Sequence, residues 1–378
     1  MRFSQPGCLK PILGSAMAKG RYGPAGNGAI RSRFWKENMI RPAHTPRVGA
    51  VVAPLTDPQG RVLDYLRLAV TDRCNLRCRY CMPADGIEQV SHADMLTMEE
   101  LLRLGRVFVD LGIRKIRVTG GEPLVRKGVV SLLAGLRNLP EAPEVLLTTN
   151  GLDLSRQLDG LQAAGVERIN LSLDSLHPET WSRITRRDGF EAARASVDEV
   201  LARGMGLKIN MVVLPGWNDH ELPDFVALTL ERDLTVRFIE PMPFLGAGEP
   251  LSETITGDEI LGRLEQGFAL ESAGQTGAAV DRIYRVRGYR GRLGIIAGAS
   301  RTFCSACSRL RLDGQGRLRT CLYGIAAADL RMLVRQGATD AELGGVIRSA
   351  VARRQVDGRA AEQGHTTTGL DSMASIGG

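Results

Sequence analysis

Cys74-Asn75-Leu76-Arg77-Cys78-Arg79-Tyr80-Cys81 is the stretch around which the chain is organised. Its three thiols stand at the spacing Cys-x3-Cys-x2-Cys, and no fourth follows. Three thiolates on one short loop can hold three irons of a [4Fe–4S] cube, because soft sulfur ligands suit iron–sulfur clusters. The fourth iron then has no protein ligand and is open to a small molecule. Two other readings compete at this point. One is a zinc site completed by a distant ligand; the other is a redox pair made by Cys78 and Cys81.

Downstream of this loop the sequence alternates between short strand patterns and helical ones. Leu66, Leu68 and Val70 form one face of a strand that leads into it, and Arg67, Ala69 and Thr71 form the other. Thr97-Met98-Glu99-Glu100 reads as a capping box. The helix behind it carries Leu101, Leu102, Phe108 and Leu111 and stops at Gly112. Further strands are expected at 114–118, 145–149, 168–173, 207–213 and 235–240. Helices are expected near 129–139, 154–164, 179–204 and 220–230. Strict alternation over this length implies a parallel sheet with right-handed crossovers. Six such units favour a partial (β/α) barrel over a flat doubly wound sheet, although alternation alone does not decide between them.

Side-chain parity adds a constraint, since strand residues alternate faces. Leu66/Leu68, Ile116/Val118, Ile169/Leu171/Leu173 and Ile209/Met211 make one apolar set suited to packing under helices. The opposite set holds Arg67, Arg117, Asn170/Ser172/Asp174 and Lys208/Asn210. Charges are costly to bury without partners, so this repeated polar face predicts a polar lumen. The competing reading puts each of these residues on a solvated edge.

Thr119-Gly120-Gly121-Glu122-Pro123 follows the second strand. Two glycines there let the backbone approach a ligand closely. Thr148-Thr149-Asn150-Gly151 and Asn170-Leu171-Ser172-Leu173-Asp174 end later strands, where ligands gather in parallel folds. Past residue 241 the alternation stops, with a helix expected near 257–264 and short strands near 283–286 and 293–296. A second trio of thiols follows, Cys304, Cys307 and Cys321. No His lies between Asp281 and Gly324 to complete a three-cysteine zinc site, so a second cube fits better than a structural zinc. Ser308-Arg309-Leu310-Arg311 places two forked cations beside it, a receptor for phosphate or another oxyanion. The bland reading of these arginines is a solvated basic loop.

The chain has 378 residues, 43% hydrophobic and 24% charged, with a net charge of +7. This suits a globular protein with an anionic ligand, and lacks the strong basic bias of a nucleic-acid binder. No apolar run has the length of a membrane span. Seven cysteines grouped in two threes, with Cys8 left over, fit two metal sites in a reducing compartment rather than a disulfide framework. Residues 1–48 carry nine Lys/Arg and one acid, Glu37, with frequent Gly and Pro. They read as a disordered basic extension, as an organelle transit peptide, or as the product of a mis-assigned start.

The loop with Tyr80 and the later Gly-Gly-Glu-Pro turn resembles the signature of the radical S-adenosylmethionine (SAM) enzymes. The chain from about Asp64 onward resembles the GTP 3′,8-cyclases, the radical SAM enzymes that begin molybdenum cofactor biosynthesis. The resemblance rests on Leu66-Arg67-Leu68, Thr71-Asp72-Arg73-Cys74-Asn75, Tyr80-Cys81-Met82-Pro83 and Arg117-Val118-Thr119-Gly120-Gly121-Glu122-Pro123. It also rests on Arg237-Phe238-Ile239-Glu240-Pro241-Met242, the second thiol trio with its arginines, and the terminal Gly377-Gly378.

It implies an α/β fold, an incomplete (β/α)6 TIM-like barrel with a C-terminal extension that carries a second cluster. The expected division is 1–48 extension, 49–240 partial barrel, 241–330 auxiliary-cluster and GTP-binding region, and 331–378 helical region with the Gly-Gly tail. Two [4Fe–4S] clusters and SAM are the implied cofactors. Cys74, Cys78 and Cys81 would hold the SAM cluster, with Tyr80, Gly121, Ser172 and Met242 at SAM. Cys304, Cys307 and Cys321 would hold the auxiliary cluster. Arg67, Arg117, Thr148, Lys208, Arg309, Leu310 and Arg311 would line the GTP site. Gly377 and Gly378 would reach back to it. The implied partners are GTP, SAM, an electron donor such as a flavodoxin, and the downstream cyclic pyranopterin monophosphate synthase; a homodimer is allowed, nucleic acid and membrane are not expected. The implied location is a bacterial cytoplasm, with organellar import left open by the basic extension. Two alternatives stand beside this: another radical SAM enzyme with an auxiliary cluster, such as a peptide-modifying one, or a non-catalytic iron–sulfur or zinc-stabilised binding protein.

Overall fold

The computed structural model describes residues 53–242, 253–274, 280–363 and 372–377. The extension 1–48, Cys8 and Gly378 lie outside the described residues.

Six strands come in the expected places: β1 Tyr65–Ala69, β2 Lys115–Thr119, β3 Glu144–Thr149, β4 Arg168–Ser172, β5 Gly206–Val212 and β6 Leu234–Ile239. Each pairs in parallel with the next in the chain. That sequential order decides what alternation could not. A doubly wound sheet reverses its winding, whereas six strands added always on the same side keep every right-handed crossover on one face. One face is therefore covered by helices and the sheet curls around the other. Leu66, Leu68, Ile116, Val118, Ile169, Leu171, Ile209 and Met211 are fully buried on the helix-covered face. Each such aliphatic side chain contributes about 1.5–3 kcal/mol by leaving water.

The helices between the strands follow local signals. Helix α1, Met98–Asp110, starts on the capping box formed by Thr97 and Glu100. Helix α2 spans Val129–Arg137. The stretch expected as one helix at 154–164 is a 3-10 turn, Ser155–Gln157, followed by the short helix α3, Leu158–Ala163. Helices α4, Pro178–Thr185, and α5, Phe190–Ala202, share the next crossover. The helix expected at 220–230 is likewise shortened, to a 3-10 turn and α6, Leu222–Ala227.

The segment after residue 241 extends both edges of the same sheet. Beyond α7, Gly257–Glu265, come β7 Leu270–Gly274, β8 Asp281–Val286 and β9 Arg292–Ile296; β9 runs parallel to β6. At the opposite edge, β10 Arg309–Leu312 runs parallel to β1, with β11 Arg317–Arg319 and β12 Ala328–Asp329 outside it. Arg309-Leu310-Arg311 is thus a strand rather than the solvated basic loop. Its register sets Arg309 beside Tyr65 and Arg311 beside Arg67. The C-terminal helices are α8 Leu330–Arg335, α9 Asp340–Ala352, α10 Gly358–Gln363 and α11 Met373–Ile376.

Candidate active site

The concave face of the sheet encloses a cavity of about 850 Å³. Arg67, Arg117, Thr148, Asn170, Ser172, Lys208 and Asn210 all line it, so the polar strand faces meet in one lumen.

Cys74, Cys78 and Cys81 open onto this cavity from the loop after β1, together with Tyr80. The loop is held by the turn at the end of β2. The Gly121 amide donates to the Thr71 carbonyl at 2.8 Å, and the Glu122 amide to the Arg73 carbonyl at 2.8 Å. Glycine is required at 121, because a Cβ there would stand 2.5 Å from the Arg73 carbonyl oxygen. The buried Glu122 carboxylate accepts from the Leu124 amide, the Thr149 hydroxyl and the Asn150 amide at 2.7–2.9 Å. Asn150 then donates to Asn75 at 2.7 Å and approaches the Cys74 sulfur at 3.9 Å. One carboxylate thereby fixes the end of β3 against the thiol loop. Burial lifts Glu122 to about 7, partly offset by those three hydrogen bonds. Tyr80 donates to Asp174 at 2.7 Å, and Asp174 is raised to about 6, chiefly by burial.

Cys304, Cys307 and Cys321 line a second, smaller cavity. Phe303, Arg309, Arg311 and Leu322 line both, so the two thiol trios adjoin one lumen from different sides. Among the described residues no three His, Cys, Asp or Glu side chains converge closely enough to share one metal ion. A cube asks for something else: each thiolate binds a different iron, so its ligands stay apart. All six thiols are free. The donor set and its spacing suit iron–sulfur clusters.

The lumen between them is cationic. Burial, then the neighbouring Arg311, pulls Arg67 well down; burial and Arg309 bring Arg311 to about 10. Burial and Arg237 bring Lys208 to about 8. Several buried polar atoms have no hydrogen-bond partner among the described residues: Nε and Nη2 of Arg237, Oδ2 of Asp281, and Oδ1 of Asn170 and of Asn210. All four residues line the large cavity. Like-charged cations crowded together with unsatisfied donors and acceptors suit a polar polyanion.

Gly377 lies inside this site. Its carbonyl accepts from Arg67 Nη2 at 3.0 Å, Arg67 Nε at 3.2 Å, Arg311 Nη1 at 3.3 Å and Thr119 Oγ1 at 3.3 Å.

Of the residues the resemblance implied, Tyr80, Gly121, Ser172, Met242, Arg67, Arg117, Thr148, Lys208, Arg309 and Arg311 all line the large cavity. Leu310 is fully buried in the core and lines neither cavity, so only its backbone is available to a ligand. Sequence reasoning assigned no role to Glu122 or Asp174, though both stood in quoted motifs. It also missed Tyr65, whose hydroxyl accepts from Arg117; burial opposes its ionisation, yet Arg117 and Arg67 bring it down to about 8. Nothing in the sequence marked Asp281, which faces the lumen from an antiparallel strand.

Two family models match the chain: the radical SAM superfamily over residues 68–229 and Molybdenum Cofactor Synthesis C over 234–359. A protein of Geobacter sulfurreducens named GTP 3′,8-cyclase is 46% identical over 280 residues, covering 73% of this chain and 86% of that one. Molybdenum cofactor biosynthesis protein 1 of Bos taurus is 42% identical over 325 residues. The match covers 84% of this chain but only 51% of the bovine protein, so the chain spans about half the length of that relative. Among solved structures, SuiB of Streptococcus suis bound to S-adenosylmethionine matches with a TM-score of 0.54 at 15% identity, over 76% of this chain and 68% of that one. At that identity the likeness concerns the fold.

Proposed function

The chain belongs to the GTP 3′,8-cyclase family of radical SAM enzymes, and on that premise we propose that it converts GTP to 3′,8-cyclo-7,8-dihydroguanosine 5′-triphosphate, the first step of molybdenum cofactor biosynthesis. The observation that carries this reading is a lumen lined by the first thiol trio, walled off from the second trio's cavity only by shared residues such as Arg309 and Arg311, and crowded with Arg67, Arg117 and Lys208. A triphosphate is the class of ligand that such a set of buried cations favours.

Membership of the superfamily implies a [4Fe–4S] cluster and SAM. Cys74, Cys78 and Cys81 would hold that cluster. Cys304, Cys307 and Cys321 would hold a second, beside the GTP-binding residues Arg309 and Arg311. When bound, the first cluster and SAM would supply the radical chemistry that acts on the GTP ribose. The chain's own residues orient the reactants. Tyr80, fixed by Asp174, with Gly121, Ser172 and Met242, forms the SAM side of the lumen. Arg67, Arg117, Thr148, Lys208, Arg309, Arg311 and the backbone at Leu310 form the GTP side. The Gly377 carbonyl bridges Arg67 and Arg311. Holding both molecules in one polar, enclosed space supplies proximity and keeps water from reactive intermediates.

A flavodoxin-like electron donor and the cyclic pyranopterin monophosphate synthase are the partners this reaction implies, with a bacterial cytoplasm as its setting. No described helix is long and apolar enough to cross a membrane. The test is anaerobic reconstitution followed by incubation with SAM, dithionite and each nucleotide in turn. Formation of 5′-deoxyadenosine and a cyclised product with GTP alone is expected. Equal turnover with peptides, or zinc in place of iron, would overturn the reading.

A further inference from the structure

The smaller cavity has a second set of arginines that never meets the larger one. Arg61 and Arg354 line it beside Cys304, Cys307 and Cys321, and neither lines the lumen. Arg354 is 5% exposed, just past the end of α9. Its Nη2 donates to the Cys307 sulfur at 3.2 Å, and its Nη1 to the Cys307 carbonyl at 3.0 Å. Nη1 also meets Asp57 Oδ2 at 3.3 Å.

Asp57 is the hub. Its side chain is fully buried and also takes Arg61 Nε at 2.6 Å. Arg61 in turn donates to the Cys304 carbonyl and the Val356 carbonyl, each at 2.8 Å. One buried carboxylate thus aims two guanidinium groups at the Cys304–Cys307 loop; of these two only Arg354 reaches a sulfur, joining Arg309, which meets Cys307 from the lumen side. Charge and hydrogen bonds at a cluster thiolate stabilise the more negative, reduced form, so they raise the potential.

We propose that Arg354, held in place by Asp57 and Arg61, is a positioning residue that sets the reduction potential of the second cluster through its hydrogen bond to the Cys307 sulfur. This rests on reading Cys304, Cys307 and Cys321 as a [4Fe–4S] site.

The test compares the full chain with Arg354→Met and Arg354→Lys, each reconstituted anaerobically. Iron per chain is counted, and the clusters are titrated by EPR against a set potential. SAM perturbs the first cluster, so the signal that SAM leaves unchanged reports the second. About eight irons are expected in the parent, as for two cubes. About four would overturn the second-cluster reading itself. With eight irons in every protein, Arg354→Met should lower the midpoint of the second signal alone, and Arg354→Lys should lower it by less. An unchanged midpoint in Arg354→Met overturns the proposal. If that variant loses the second cluster, Arg354→Lys decides: a lowered midpoint supports it and a parental one overturns it. Loss of the cluster from both variants would mark Arg354 as a holding group and overturn its role in the potential.

Discussion

The two thiol trios share one donor set and differ in the charges that stand beside their sulfurs. Around the first, burial pushes Cys74 up to about 11 and Cys81 up to about 12, and nearby carboxylates push the same way: Glu122 beside Cys74, Asp174 beside Cys78. Around the second, burial again opposes ionisation of Cys307, but Arg309 and Arg354 outweigh it and bring the thiol down to about 6. The first trio has the carboxylates Glu122 and Asp174 beside it, with Arg77 at Cys74, whereas Cys307 of the second trio has two arginines beside it, although burial still raises Cys321. Under the proposed function, a triphosphate would find its countercharges near Arg309 and Arg311, and the ammonium of SAM would find carboxylates on the side of the first trio.

The largest expected effect breaks the pair apart. Cys81→Ser should abolish 5′-deoxyadenosine formation altogether. Cys307→Ser should keep a slow SAM cleavage that no longer depends on GTP, and yield no cyclised nucleotide. If both substitutions abolish cleavage alike, the two trios do not divide the work.

Next in size is the tail that joins the two sides. Gly377 has φ +79°, and a Cβ there would stand 2.8 Å from Thr119 Oγ1 and 2.9 Å from the Ala69 Cβ. Gly377→Ala must shift the carbonyl that Arg67 and Arg311 share. A misplacement of about 1 Å costs about 10²-fold in rate, so product formation should fall by that order while GTP still binds. Full activity in the variant would remove the tail from the reaction.

A smaller effect sharpens the electrostatic contrast. Lys208 is lowered to about 8, so it is charged at neutral pH and loses its proton as pH rises through that value. At pH 9 only about a tenth would stay protonated. The KM for GTP should rise severalfold between pH 7.5 and 9, the KM for SAM should not, and Lys208→Arg should flatten the GTP profile. Parallel rises for both ligands would tell against separate sides.

These contrasts were unevenly legible in the sequence. Parity along the strands put Arg67, Arg117 and Lys208 on one face, because period-two alternation is local. The barrel needed more: sequential strand order became visible only through pairings between distant segments. The second trio's surroundings were harder still. Arg309-Leu310-Arg311-Leu312 is too short to announce a strand, and its partner is Tyr65–Leu68, more than 240 positions earlier. Glu122 was quoted as part of a turn, but Thr149 and Asn150, which its carboxylate anchors, come from another strand. Asp57 and Arg354 lie 297 positions apart, and no spacing rule joins them.

The smallest effect uses a control that the chain itself supplies. Asp57-Pro58-Gln59-Gly60-Arg61 and Asp313-Gly314-Gln315-Gly316-Arg317 form the same turn. In each, one carboxylate oxygen accepts two backbone amides at 2.9–3.0 Å and the other takes the arginine Nε at 2.6–2.7 Å. They differ in two respects: Asp57 also meets Arg354, buried against Cys307, and the Arg61 side chain is 8% exposed where the Arg317 side chain is 32% exposed. Asparagine keeps an acceptor for the two amides but puts an NH2 donor where an oxygen took the guanidinium. Asp313→Asn should therefore cost about 1 kcal/mol, the worth of a partly solvated pair. Asp57→Asn leaves a buried arginine without its counterion and should cost about 3 kcal/mol. Denaturant midpoints of the two metal-free variants measure the difference. Equal losses would show that Asp57 serves its hairpin alone, as Asp313 does, and that the cations around the second trio are held by something other than this carboxylate.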